Sequence, residues 1–304
     1  FTPLLVDMEK GLNDPAKTSI IQQLEMQAAI SDVSIRGKLR RAPDARVHPF
    51  VGFDPRRKDA VDIVRGAVRK YGCVGVKMYP PMGFRPLGNA EFPIPEGMTL
   101  EGAQSADATL RELYSFCSEE DVPITAHGNP TNFASKAFEE FSSPGNWEKV
   151  LEEFPKLHLN IGHFGGSGKG EFADWPRDFA KLGARFDHFY ADIGNHRLGQ
   201  DLEDYIENLK ALFADPTTQP MQDRLMFGTD WFMVASLRDF HDFLEDYSKA
   251  YKEAFSDTHR GFMGDIALRF LGFNDPNNKN TKRVVKRYEA LDAPIPKWLA
   301  VSDN

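Results

Sequence analysis

Short apolar runs alternate with stretches of helical spacing along most of this chain. Strand-like runs begin at Phe1–Met8 and continue with the run from Arg46 to Asp54-Pro55 and with Cys73–Pro80. Three further runs end at His127, at His163 and at Asp230, and Phe186–Ile193 lies between the last two. Between them lie helical patterns. Asp14–Ala29 carries Ile20, Ile21, Leu24 and Ala28, and Lys58–Tyr71 sets Val61, Val64, Ala67, Val68 and Tyr71 on one face. Ala106–Cys117 aligns Leu110, Leu113 and Tyr114, Asn146–Phe154 stops at Pro155, and Asp201–Phe213 carries Leu202, Tyr205, Ile206 and Leu209. Ser236 is placed to cap a helix with Leu237, Phe240, Phe243, Leu244 and Tyr247 along it, and Thr258–Leu271 ends at Gly272.

Strands alternating with helices predict a parallel sheet wrapped by helices, and this length suits one (β/α)8 TIM barrel. The count reaches seven strands, and the eighth is expected ahead of Phe1. Residues 1–273 read as the barrel. The polar tail 274–304 reads as an extension packing on the barrel or on a partner subunit. The proline- and glycine-rich stretch from Pro81 to Thr99 reads as a binding loop or lid.

The chemistry sits at strand ends. His127, His163 and Asp230 each close an apolar run just before a glycine or a bend. In a barrel, C-terminal strand ends share one mouth, where reacting groups gather. Two imidazoles and a carboxylate there suit a zinc-like divalent ion that activates water. Lys77 ends another buried run, where an unpaired ammonium is costly, and Tyr79 shares its face. His196 follows the Phe186–Ile193 run on the same rim, and Arg85 and Asn89 lie in the long loop, suited to an anionic substrate. His48 and His158 read as structural. Gly165-Gly-Ser-Gly-Lys-Gly170 fails both phosphate-loop patterns.

Composition narrows the class. A net charge of −8 argues against a nucleic-acid surface, and no apolar run is long enough to span a membrane. Cys73 and Cys117 form no CxxC and fit small core residues of a reducing compartment, so a cytoplasmic setting is expected.

The phrases Asn146-Trp147 through Leu-Asn-Ile-Gly-His163-Phe-Gly-Gly, Phe227-Gly-Thr-Asp230 and Phe262-Met-Gly-Asp-Ile-Ala-Leu-Arg-Phe-Leu-Gly resemble the amidohydrolase-related branch of the metal-dependent amidohydrolase superfamily. The resemblance covers most of residues 46–273, and Ile266 stands where that branch usually has Asn. It implies a barrel with one or two divalent ions, most simply Zn2+. His127 would be the strand-five ligand, His163 a second ligand or a carbonyl polariser, and Asp230 the strand-eight ligand and general base. The branch's His-x-His pair is absent from this sequence, and the expectation places it ahead of Phe1. Lys77 matches either a carboxylated bridge between two ions, as in two-metal members, or a strand-end contact.

The expected activity is hydrolysis of an amide, lactone or ester of a small molecule. The alternatives are a non-hydrolytic decarboxylase of an aromatic or dienoic acid and a metal-less barrel acting as a binding protein. A homodimer is the expected assembly.

Overall fold

The computed structural model describes residues 1–166, 170–194, 200–231 and 242–300. Among them, six parallel strands form one sheet in chain order: β1 Phe50–Phe53, β2 Gly75–Met78, β3 Ile124–His127, β4 Leu159–Gly162, β5 Phe189–Asp192 and β6 Leu225–Met226. Helix α1 (Ile20–Ile35) precedes β1. The crossovers are α2 (Ala60–Arg69), α3 (Leu100–Glu119), α4 (Pro144–Glu153), α5 (Trp175–Arg185) and α6 (Gln200–Phe213), and α7 (Phe243–Ala254), α8 (Ile266–Leu271) and α9 (Lys279–Ala290) follow β6. Parallel strands joined in order by helices are the α/β-barrel architecture.

Local chemistry sets the helix ends. Ser19 closes a capping box with Gln22 at the start of α1, Thr99 caps α3, and Pro144 opens α4. Gly272, in the left-handed region at φ 75°, ends α8, and the Phe273 amide donates back to the Leu268 carbonyl. Three expectations need correction. Helix α5 was not anticipated, although Trp175, Phe179 and Leu182 are buried at helical spacing. Leu244 is exposed rather than on the packed face of α7, and the Ser236–Phe240 part of that expected helix lies outside the described residues. The polar tail holds the regular helix α9, with Val284 and Tyr288 buried.

The expected first strand is only partly a strand. Leu4 forms a single parallel bridge with Phe50, and the chain then crosses the face of Gly52. A methyl group on Gly52 would lie 2.7 Å from the Leu5 carbonyl oxygen and 2.8 Å from the Asp7 nitrogen, so only glycine admits this crossing. Asp7 and Glu9 both pair with Arg57, which pins the segment to the loop after β1.

The sheet divides the apolar core in two. Val51, Val76, Ile124, Ile161 and Ala191 pack in one cluster with helix residues such as Val64, Leu110 and Trp147. Phe50, Tyr190 and Met226 belong to a second cluster, with Phe270, Val284 and Tyr288 of the C-terminal helices. Alternation puts Phe50, Lys77, Thr125, Asn160 and Tyr190 on the face opposite the first cluster. The inner face is thus apolar toward the strand N-termini and polar toward the C-termini.

His48, at the apolar end, is buried among Phe273, Tyr288 and Trp298. Burial, with smaller contributions from the N-terminal amine and Arg46, lowers its pKa to about 3. Above 6.5 the imidazole is neutral folded and unfolded. Between 6.5 and about 3 only the unfolded chain binds the proton, so stability falls as pH falls through that window. We expect His48→Leu to remove about 2–3 kcal/mol of the stability lost between about pH 7.5 and 4.5, read from denaturant midpoints. An unchanged acid limb in the variant would show that His48 does not carry this dependence.

Candidate active site at the C-terminal strand ends

His127 ends β3, and His163 follows β4 by one residue. The register aligns His127 with Gly162, so the two imidazoles rise side by side, with ring centroids 4.7 Å apart. A hydrogen-bonded relay joins them. His163 Nδ1 lies 2.8 Å from the Gly194 carbonyl oxygen, and His163 Nε2 lies 3.1 Å from His127 Nδ1. A carbonyl can only accept, so His163 Nδ1 carries its hydrogen. With that hydrogen on Nδ1, Nε2 is the nitrogen that can accept from His127 Nδ1–H. His127 Nε2 is left as a bare lone pair, buried and without a hydrogen-bond partner among the described residues. The ring is held neutral: burial, then the nearby His163 and Lys77, push its pKa far below the ordinary imidazole value, against a hydrogen bond donated to the Asn129 backbone that raises it. Tyr79 stacks on it at 4.2 Å between centroids, and burial raises the phenol's pKa.

Beneath this pair the inner face is polar and mostly buried. Lys77 is aligned with Thr125, which is aligned with Asn160. Burial lowers the Lys77 pKa to about 8, while Asp192 and Asp230 pull it back up. Asp192, at the end of β5, is the hub. Its carboxylate accepts from Asn160 Nδ2 at 2.7 Å, from the Gly194 amide at 2.9 Å and from the His163 amide at 3.4 Å. Methyl groups on Gly194 or Gly228 would each come within 3.0 Å of Asp192 Oδ1, so both glycines make room for it. Sequence reasoning passed over Asp192, although an aspartate ending a buried run and followed by Ile-Gly was a usable signal.

Asp230 is exposed and borders the same glycine: a methyl on Gly194 would lie 3.4 Å from Asp230 Cβ. Its backbone is left-handed, at φ 47°. His163 and Phe164 are also left-handed, at φ 68° and 42°, and Gly165 and Gly166 continue the bend. Non-glycine residues held there cost stability, and such strain gathers at functional sites. Two of the three strand-end residues picked from sequence carry it.

Arg85 and Asn89, expected as substrate contacts, are used inside their own loop. Asn89 is fully buried and bonds to the Arg85 backbone and to Asp107, and Arg85 binds the carbonyls of Gly88, Glu91 and Pro93. His196 lies outside the described residues. Among the described residues, no group of three or more His, Cys, Asp or Glu side chains is close enough to hold a metal ion. The fit to a divalent ion therefore rests on the donors' chemistry. His127 Nε2 is a neutral, buried nitrogen with nothing bound to it, which a ligand bond would satisfy. Both nitrogens of His163 are spent in the relay, so His163 orients His127 here.

The strands, their connecting helices and this histidine mouth define the chain as an α/β-barrel protein with a polar site at its C-terminal rim. An amidohydrolase family profile matches residues 20–273, and the chain belongs to the amidohydrolase family. A comparison with curated proteins found no match. Among solved structures, an amidohydrolase from Burkholderia multivorans with bound HEPES superposes with a TM-score of 0.54 at 14% identity, covering 84% of this chain and 81% of that one. The Burkholderia multivorans amidohydrolase with bound zinc gives 0.51 at 16% identity, covering 77% of each chain. Dihydroorotase from Campylobacter jejuni gives 0.50 at 14% identity, covering 89% of this chain and 75% of that one. These likenesses establish the barrel fold.

The strain and the hub each make an expected outcome. Asp230→Gly relieves a left-handed aspartate and raises unfolding free energy by about 0.5–1 kcal/mol. Asp192→Asn sets an amide against donors that need an acceptor and lowers it by about 2 kcal/mol. Denaturant titration reads both, and the opposite sign in either variant would contradict the strain at Asp230 or the role of Asp192 as acceptor.

Proposed function

We propose that the protein is a divalent-metal-dependent hydrolase that cleaves an amide, lactone or ester of a small molecule. The observation that carries this reading is the bare, buried Nε2 of His127, fixed in its tautomer by His163 and the Gly194 carbonyl. His127 and Asp230 would hold the ion. A bound divalent ion, most simply Zn2+, supplies acidified water and polarises a carbonyl.

The chain's own groups do the rest. Asp230, exposed beside Gly194, takes a proton at its carboxylate and returns it to the leaving group. His163 keeps His127 Nε2 unprotonated. Tyr79 walls the far face of His127 and keeps water from its ring. Lys77, desolvated beside Asp192, offers a hydrogen bond to a negative oxygen at the mouth. Family membership and the superposed amidohydrolases support the reaction class. The bond cleaved is our inference.

Elemental analysis of the purified protein and a panel of lactones, esters and cyclic amides test the proposal. We expect bound zinc or a similar ion, abolished by His127→Ala and weakened ~10–100-fold by His163→Gln. Asp230→Asn is expected to lower kcat ~10²–10⁴-fold and to weaken metal binding. Full hydrolysis by metal-free protein would refute the reading, and so would loaded protein that releases CO₂ from aromatic acids and hydrolyses nothing.

A further inference from the structure

A cavity opens at the other end of the barrel, where strands begin. It measures about 320 Å³ and lies among the start of β2, the end of α2 and helix α9. Four basic side chains line it, Arg69, Arg283, Lys286 and Arg287, and no acidic side chain does. Two of them have carboxylate partners outside the lining: Arg287 pairs with Asp32, and Arg283 with Glu120. Arg69 adds to the positive charge felt by Arg283, whose pKa burial already lowers. The Nη atoms of Arg283 and Arg287 also bond the Glu120 and Lys70 carbonyls, and their Nε atoms are sealed in packing with no hydrogen-bond partner among the described residues. Positive charge thus converges on one space.

Ile35, Val68, Val74 and Val284 give it apolar walls, and His48, Asn280 and the Cys73 thiol, which burial holds neutral, complete the lining with Gly72. Gly72, at φ 72°, lets Arg287 lie against the backbone, since a methyl there would come within 2.8 Å of the Arg287 side chain. A cavity of about 150 Å³ holds a benzene ring. This one has room for such a body with a charged head.

We propose that this cavity binds a small organic anion, with a carboxylate or phosphate head on Arg69, Arg283, Lys286 and Arg287 and an apolar body on the valines. Guanidinium groups grip planar and tetrahedral oxyanions through several donors, and Arg69 and Lys286 are the exposed cations that would reach such a head group. The site stands apart from the histidine mouth and is independent of the proposed hydrolysis. Its occupant would tie α9 to the α2–β2 turn, beside the Asn280 side chain that already bonds the Val74 carbonyl.

Titration calorimetry on the full chain tests this with three probes: phenyl phosphate, benzoate and uncharged benzyl alcohol. We expect saturable one-to-one binding of at least one anion and none of benzyl alcohol. The better anion identifies the head group. Arg69→Gln/Lys286→Gln changes two exposed cations that make no ion pair among the described residues, so the fold is expected to stand, and a matching thermal midpoint without ligand checks it. This variant should weaken binding about tenfold or more. His163→Ala should leave binding unchanged. Absence of saturable anion binding up to ~10 mM, a range set by the weakest useful affinity, overturns the proposal. Binding that survives in the double variant and disappears in His163→Ala also overturns it, because the anion then sits at the histidine mouth.

Discussion

One hydrogen-bonded relay organises the candidate site: Gly194 carbonyl, His163 and His127, in that order. A carbonyl at one end fixes where each hydrogen lies, and the far end of the relay is a nitrogen with nothing to bind. Leaving such an acceptor buried costs about 1–3 kcal/mol, which a stable fold avoids unless something is meant to occupy it. Burial, with His163 and Lys77 close by, keeps the pKa of His127 far below the ordinary imidazole value, so protonation is no escape. The amidohydrolase fold brings these groups to one rim, and this chain's residues make that rim a place for a ligand bond.

The relay depends on neighbours that contribute no chemistry. Asp192 holds the His163 amide and the Gly194 amide with one carboxylate, so it fixes both ends of the bond between the His163 ring and the Gly194 carbonyl. Gly194 and Gly228 are needed because any side chain there would displace that carboxylate. The left-handed bend at His163–Gly166 turns the His163 ring toward β3 and strains the backbone in doing so. Below these groups, Phe50, Tyr190 and Phe270 seal the inner face with apolar packing. One barrel interior thus supports a polar mouth and a dry floor.

Much of this was legible in the sequence because barrel strands announce themselves. A buried parallel strand is a short apolar run, and a polar residue closing it falls at the mouth, which singled out His127, His163 and Asp230. The pairing of the two histidines was not legible, since it rests on the register of β3 against β4. Asp192 was overlooked because much of its value lies in groups of another segment, the His163 amide and the Asn160 side chain. The bonds of Arg85 and Asn89 were not legible either: a long loop needs internal bonds, and their polar groups supply them. Helix α5 was hidden by the glycine-rich turn before it and by Pro176, which looks like a breaker and serves as a helix opener. The tail helix α9 shows only two buried apolar positions among polar ones, too thin a stripe to read by period.

Nitrogen NMR of the imidazoles in metal-free protein at neutral pH tests the relay most directly. Both rings should be neutral, each with its hydrogen on Nδ1, and the His127 Nε2 resonance should shift when Zn2+ is added. A His127 ring that is protonated, or that carries its hydrogen on Nε2 and ignores zinc, would contradict the relay and the ligand bond it prepares.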